Sequence, residues 1–302
     1  TVNWEAEKPY IDKISDLYDK YKSAKTKQEK EKIYSEIDKL SSEAAKYAAP
    51  NELDVIVQNL GGNGYNAYTT NDETVYVLSI PSNELEKWVK LERVRFGGLV
   101  LTLFHTELET VYEEFNKNQD NDFFWVLKDV NKRLYSGHPY GEKTTIGRPE
   151  DLKNPSMKAI MGFYDKYYTA NNMAMILSGD FDYDKTIKII ANNWSDFKQN
   201  KNLTSKEYTA KDFNKITVDT VEGRQTDFVA VAYRFDGEIN QSESVKLGLL
   251  TELLQNDKAG LIDLNVLQKQ KVLSLDKVVL SNKDYTTLML IGIPKAGQSL
   301  EE

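Results

Sequence analysis

Apolar residues recur three or four positions apart, the spacing of an amphipathic helix, through much of the chain. The lysine- and glutamate-rich stretch 7–48 has this pattern with one break near residue 26, which predicts a helical hairpin with a single apolar face. The glycine-rich run 61–64 ends the next helical stretch. Further helices are predicted over residues 50–60, 83–100, 155–168, 185–194 and 242–255.

Strand patterns alternate with these helices. Residues 65–70 and 74–80 are β-branched and aromatic runs separated by Asn-Asp-Glu, which predicts two paired strands joined by a turn. The apolar run 173–181 predicts a buried strand that ends at Gly-Asp. The polar stretch 198–207 is typical of a linker. Beyond the linker, strands are predicted at residues 217–219, 227–235 and 288–293.

The whole pattern predicts an α+β fold in two domains. The first domain is expected over 1–200, with helices packed on one mixed, antiparallel-type sheet and with 7–48 as an inserted helical hairpin. The start of a second, related α+β domain is expected over 208–302. The chain begins at Thr1 without a signal-like segment and ends where a helix is starting. We therefore expect both ends to lie inside a longer protein.

Composition excludes several classes of function. The chain has 302 residues, 40% hydrophobic and 28% charged, which is typical of a soluble globular protein. A net charge of −8 argues against nucleic acid as a partner. No apolar run approaches the ~20 residues that a membrane-spanning helix requires. The absence of cysteine excludes disulfides and thiolate chemistry, and imidazole chemistry is limited to His105 and His138.

The helix-forming stretch 105–122 carries the candidate chemistry. It contains a glutamate pair, Glu107 and Glu114, seven residues apart, so both carboxylates project from one helix face at roughly 10 Å along the axis. A carboxylate beside a buried stripe requires a cation, a metal or a strong donor. Taken alone, two solvated glutamates on an acidic protein explain the pattern more simply. The apolar stripe consists of Leu108, Val111, Tyr112 and Phe115.

Three sequence blocks follow one another in order along the chain. They are G-x-x-x-N-A-Y-T followed by D-x-T-V-Y at 62–76, E-x6-E followed by Asn and a D-N-D cluster at 107–122, and Y-Y-x-x-N-N-M leading to G-D-F at 167–181. An H-P-Y-G loop lies at 138–141. In this order and spacing the blocks resemble the pitrilysin/insulinase-like zinc peptidases, the inverzincins. The resemblance covers most of 50–197 and, more loosely, 210–302.

This resemblance implies a role for each matched residue. Glu114 corresponds to a zinc ligand, and Glu107 to a second, catalytic acidic residue near the site. The N-A-Y-T strand corresponds to a sheet edge that pairs with an extended substrate, with Asn66 near the scissile carbonyl and Ala67 and Tyr68 along the backbone-binding edge. Without the resemblance, an ordinary strand in which Asn66 caps a turn is the simpler interpretation.

The H-x-x-E-H motif that the resemblance requires is absent from the chain. That motif supplies two histidine ligands and the general base, and the insertion at 7–48 places its expected position before Thr1. A single carboxylate such as Glu114 does not hold zinc. We therefore expect the chain alone to bind no zinc and to be inactive. His138 is interpreted as structural, and His105 as a contact of the glutamate helix.

Three interpretations remain open. The first is a part of a zinc metalloendopeptidase that cleaves extended peptides, whose partner is the remaining C-terminal half of the polypeptide or a related subunit. The second is a non-catalytic peptide-binding or structural homologue, against which the retained glutamate pair argues. The third is a plain α+β domain, in which the N-A-Y-T edge would be paired. Family analogy favours the periplasm or cell envelope of a bacterium, and a cytoplasmic location stays open.

Overall fold

The α+β class predicted from the sequence is confirmed by the computed structural model, which describes residues 3–301. The strands are β1 (Asn63–Thr69), β2 (Thr74–Ser79), β3 (Val229–Asp236), β4 (Ser274–Ser281) and β5 (Tyr285–Ile293). The helices are α1 (Trp4–Ser23), α2 (Lys27–Ala44), α3 (Glu52–Asn59), α4 (Leu85–Arg95), α5 (Phe104–Gln119), α6 (Asp122–Leu134), α7 (Pro139–Glu142), α8 (Pro149–Lys153), α9 (Met157–Tyr167), α10 (Tyr183–Trp194) and α11 (Gln241–Leu254).

The chain forms two compact units. The first contains the residues up to Tyr68 together with Thr74–Phe115 and Ile146–Glu207. The second contains Thr69–Glu73, Asn116–Thr145 and the residues from Tyr208 onward. The backbone therefore leaves the first unit for the short turn between β1 and β2. The division into 1–200 and 208–302 drawn from the sequence remains a prediction.

The helical hairpin predicted at 7–48 is present as α1 and α2. The side-chain hydroxyl of Thr26 accepts a hydrogen bond from the amide of Glu29 at 3.2 Å and caps α2, so the break in the apolar pattern is a helix start. The two helices are joined to the rest of the first unit through Met157 of α9. Their shared core contains the buried residues Ile11, Ile14, Leu17, Tyr18, Ile37, Ala44 and Met157.

The predicted strand pair is present as the two-stranded sheet β1–β2. Its turn is tightly closed, because the amide of Thr70 donates to the carbonyl of Glu73 at 2.8 Å. The hydroxyl of Thr70 also accepts from the amides of Asp72 and Glu73, both at 3.2 Å. Every residue of β1 is exposed. Within residues 3–301, β2 is the one strand hydrogen-bonded to β1, so no second described strand pairs with β1.

Two predicted strands are wrong, and one strand was missed. Residues 173–181 form no strand, and Ile176 is 88% exposed. A strand needs a neighbour to satisfy its backbone groups, and none of the strands in the described part of the chain pairs with this run. Residues 217–219 are likewise irregular, with Val218 87% exposed. The missed strand is β4, whose pattern of mixed charged and apolar residues is weak.

The second unit is built on an antiparallel sheet in the order β3–β5–β4. The central strand β5 is buried over residues 286–289. Arg234 of β3 joins the sheet to the helical part of this unit, since its guanidinium donates to the carbonyls of Leu134 at 2.7 Å and Lys211 at 2.9 Å. The adjoining buried cluster consists of Leu134, Tyr135 and Tyr140.

Candidate functional site

The glutamate pair lies on the solvent-facing side of α5. Glu107 is in the first turn, Glu114 lies two turns later, and both are exposed. The buried side of α5 is formed by His105 and Phe115 instead. Within the described part of the chain, no hydrogen bond or ion pair engages either carboxylate of the pair, whereas Glu109 accepts from a tyrosine hydroxyl at 2.7 Å. Both carboxylates are therefore exposed and accessible to a ligand.

The start of α5 is set by a strained residue. Leu103, directly before the helix, has a φ of 56°, a left-handed conformation that costs a non-glycine residue roughly 1–2 kcal/mol. Its carbonyl accepts from the amide of Glu107 at 3.0 Å. The direction in which α5 leaves the preceding loop, and with it the placement of the glutamate pair, depends on this residue.

His105 lies inside the first turn of α5 rather than before it. Its Nδ1 lies 2.7 Å from the hydroxyl of Tyr18 in a buried hydrogen bond. Its Nε2 lies 3.7 Å from the carboxylate of Glu109 and 3.9 Å from that of Asp38, both too long for hydrogen bonds. His105 therefore ties α5 to the helical hairpin through Tyr18.

The residues that the structure describes do not fit a complete zinc site. Among residues 3–301, no three histidine, aspartate or glutamate side chains converge as a metal-binding group. His138 has both ring nitrogens engaged, Nδ1 by the amide of Tyr140 at 3.2 Å and Nε2 by Asp284 at 3.2 Å. Catalytic zinc sites use three protein ligands. Glu114 offers one carboxylate, and the described residues do not complete a group of three ligands.

The candidate substrate residues share one exposed strand. Asn66, Ala67 and Tyr68 all lie in β1, and Tyr68 is 49% exposed. The side-chain oxygen of Asn66 accepts from the amide of Ala67 at 2.8 Å, so this side chain lies along its own strand. We call the backbone edge at Asn66–Tyr68, with which none of the described strands pairs, the peptide edge. Within the described chain, no hydrogen bond or ion pair joins it to the glutamate pair.

Arg95 lies at the end of α4 and binds both strands of the β1–β2 pair. The sequence alone did not point to this residue. Its guanidinium donates to the hydroxyl of Tyr65 in β1 at 3.0 Å and lies 4.8 Å from the ring centroid of Tyr76 in β2. It also forms a 2.7 Å ion pair with the buried Glu92. Burial raises the pKa of Glu92, and Arg95 lowers it in part. The exposed tyrosines of the two strands, Tyr65 and Tyr76, are the sequence feature that could have indicated a cation–π partner.

A family model described as "Peptidase M16 inactive domain" matches residues 156–293. The zinc protease PqqE of Helicobacter pylori is 26% identical over 248 residues, which are 79% of this chain and 54% of that protein. The probable zinc protease PqqL of Escherichia coli is 22% identical over 192 residues, 61% of this chain and 20% of that protein. This chain thus spans about half the length of the first relative and less of the second.

Solved structures share the fold. A protease from Helicobacter pylori superposes with a TM-score of 0.70 and 22% identity, covering 81% of this chain and 60% of that one. Pitrilysin superposes with a TM-score of 0.61 and 22% identity, covering 83% of this chain and 28% of that one. A third neighbour is described as the periplasmic protease PqqL from Escherichia coli. Within residues 3–301, none of the helices has the length and apolarity needed to cross a bilayer.

Proposed function

We propose that this chain, a member of the pitrilysin/insulinase-like (M16) peptidase family, is one part of a zinc metalloendopeptidase that hydrolyses extended peptides. The observation that carries this proposal is the peptide edge: a fully exposed strand with one unpaired side can add a peptide as a further strand. The names of the relatives as zinc proteases support the chemistry. The rest of the same polypeptide, or a related subunit, is the partner that would complete the enzyme.

We assign the roles as follows. The backbone of Ala67 and Tyr68 pairs with the substrate, and Asn66 lies near the scissile carbonyl. Glu114 contributes one carboxylate ligand to a zinc ion whose other ligands come from residues outside this chain, and Glu107 is the second acid of the site. The solvent exposure and free carboxylates of the glutamate pair support this assignment. By analogy with a relative described as periplasmic, we propose a bacterial periplasm or cell envelope as the location.

Substitution of Glu114 tests the zinc role in the complete protein that contains this chain. Glu114→Gln should remove zinc and lower peptide hydrolysis by more than about 100-fold, because even the outer partners of metal ligands contribute 10–100-fold. Glu113→Gln is the matched control, since Glu113 is also exposed but points about 100° away around α5. Zinc content and activity are measured on the same preparations. A Glu114→Gln protein that retains both would refute the assignment.

A non-catalytic peptide-binding protein is the second candidate. The observation that favours it is that the family model matching residues 156–293 is described as an inactive domain. Metal chelation distinguishes the two candidates. A peptidase loses peptide cleavage when zinc is chelated. A peptide-binding homologue binds extended peptides equally well with or without metal and cleaves none of them.

A further inference from the structure

The turn between β1 and β2 is bound by side chains and backbone of the second unit, to which the turn itself belongs. The side-chain amide nitrogen of Asn71 donates to the side-chain oxygen of Asn282 at 2.7 Å. One carboxylate oxygen of Asp72 accepts from the amide of Lys283 at 2.9 Å, and the other accepts from the hydroxyl of Tyr140 at 2.5 Å. All three partners are distant in sequence, so tertiary contacts hold this turn.

The segment 282–284, which binds the turn, is itself fixed by backbone hydrogen bonds. The carbonyls of residues 282–284 accept hydrogen bonds from the amides of residues 237–239 at 3.0–3.1 Å. His138, only 1% exposed, lies beneath the segment with its Nε2 3.2 Å from the carboxylate of Asp284. Its Nδ1 accepts from the amide of Tyr140, so the proton of the neutral imidazole lies on Nε2 and is donated to Asp284. His138 thus contacts both Tyr140 and the segment 282–284, which together bind the turn.

The H-P-Y-G loop requires a glycine at position 141 in order to pack against the end of α6. A Cβ at Gly141 would lie 2.6 Å from the carbonyl oxygen of Tyr135 and 2.8 Å from that of Asn131. Any larger residue would push the loop away from α6. The motif therefore places the ring of Tyr140 where its hydroxyl reaches Asp72.

The hydrogen bond between Tyr140 and Asp72 is of the strong type. Tyr140 is 6% exposed, and burial together with the bond to Asp72 raises the pKa of its hydroxyl, which stays protonated and donating at neutral pH. A short O–H···O⁻ bond to a carboxylate is roughly twice as strong as a neutral one. The hydroxyl also accepts from the amide of Asp284 at 3.3 Å.

We propose that Tyr140 and Asp72 are positioning residues for peptide binding: by holding the turn, they keep the peptide edge in the extended geometry that pairs with a substrate. The inference rests on the proposed function. The hydrogen bonds of Thr70 inside the turn make the turn stiff, so restraint at Asp72 passes along the backbone to Tyr68.

The test is Tyr140→Phe in the complete protein, which removes one hydroxyl and keeps the ring. We expect KM for an extended peptide to rise about tenfold with kcat within about twofold, because the turn affects binding of substrate and transition state alike. Backbone amide exchange over residues 66–70, measured without peptide, should accelerate about tenfold. Asp72→Asn leaves one side-chain oxygen for two donors, the hydroxyl of Tyr140 and the amide of Lys283, so KM should rise about tenfold in this variant as well.

Tyr135→Phe is the matched control. Tyr135 belongs to the same buried cluster, but its hydroxyl pairs with Thr287 and touches no part of the turn. It should lower thermal stability about as much as Tyr140→Phe while leaving KM and exchange at 66–70 unchanged. Equal rises in KM for both variants, or no change in Tyr140→Phe, would overturn the positioning role. A wild-type protein that neither binds nor cleaves peptides would overturn the proposed function instead, whatever the exchange rates show.

Discussion

The guanidinium of Arg95 contacts the buried carboxylate of Glu92 and the tyrosine rings of β1 and β2. One positive charge therefore stabilises all of these groups. The side chain of Arg95 is 18% exposed and that of Glu92 is 7% exposed, so the ion pair between them is largely shielded from water. The planar guanidinium can pair with a carboxylate and stack on rings at the same time, which a lysine cannot do. The β1–β2 strand pair therefore depends on Arg95, which contacts no substrate in the proposed mechanism.

Arg95→Met should destabilise the first unit by about 3 kcal/mol at pH 7, because it leaves the carboxylate of Glu92 buried without a partner. Burial already raises the pKa of Glu92, and loss of Arg95 raises it further. A raised carboxyl pKa means that the folded state binds more protons, so the deficit should shrink as pH falls from 7 towards 5. Urea denaturation at both pH values measures this.

The control for this variant is Arg93→Met on the same helix. Arg93 pairs with Asp196, which is 78% exposed, and exposed pairs contribute at most about 1 kcal/mol. We expect a small, pH-independent loss. A similar loss in both variants would show that packing of the arginine stems, not the buried charge of Glu92, determines the cost.

At the scale of elements, β1 combines full exposure with a fixed position. A two-stranded sheet is marginally stable alone. Here the side chains of β1 and β2 rest on Arg95, and the turn is bound at Asp72. An edge strand held in this way presents unpaired N–H and C=O groups without having to be ordered on binding, which lowers the entropic cost of adding a peptide.

Peptide backbone chemistry tests this edge. An extended peptide should bind the chain through alternate backbone amides, because every second residue of a paired strand faces its neighbour. N-methylation of two amides on the paired register should weaken binding about tenfold or more, at about 1 kcal/mol for each hydrogen bond. The control peptide carries the same two N-methyl groups shifted by one residue and should bind as the parent does. Equal affinities in fluorescence anisotropy would exclude strand addition.

At the scale of the molecule, residues 3–301 carry the proposed binding strand and the glutamate pair but no group of three metal-binding side chains. Its two units have separate cores, one around the helical hairpin and one beside the β3–β5–β4 sheet. The chain spans 54% of PqqE and 20% of the Escherichia coli PqqL. The proposed enzyme therefore assembles its chemistry from this chain and further polypeptide.

The isolated 302-residue chain should hydrolyse no peptide and retain no zinc after dialysis, because one carboxylate ligand does not hold the ion against water. Metal analysis and a quenched fluorescent peptide measure the two properties. Circular dichroism of the same sample should show the helical content of a folded chain. Chelator-sensitive cleavage by the isolated chain would show that it carries a full site.

Local features of this protein follow from its sequence alone. The break at Thr26, the helix carrying Glu107 and Glu114 and the paired strands around residue 72 were predicted because caps, helical periodicity and turns depend on residues a few positions apart. The tertiary structure alone decided the rest. Residues 173–181 form no strand because strand formation requires a distant neighbour, and the contacts of Tyr140 with Asp72 and of His138 with Asp284 join residues 68 and 146 positions apart. Such pairings depend on how the chain packs, and no short stretch of sequence encodes them.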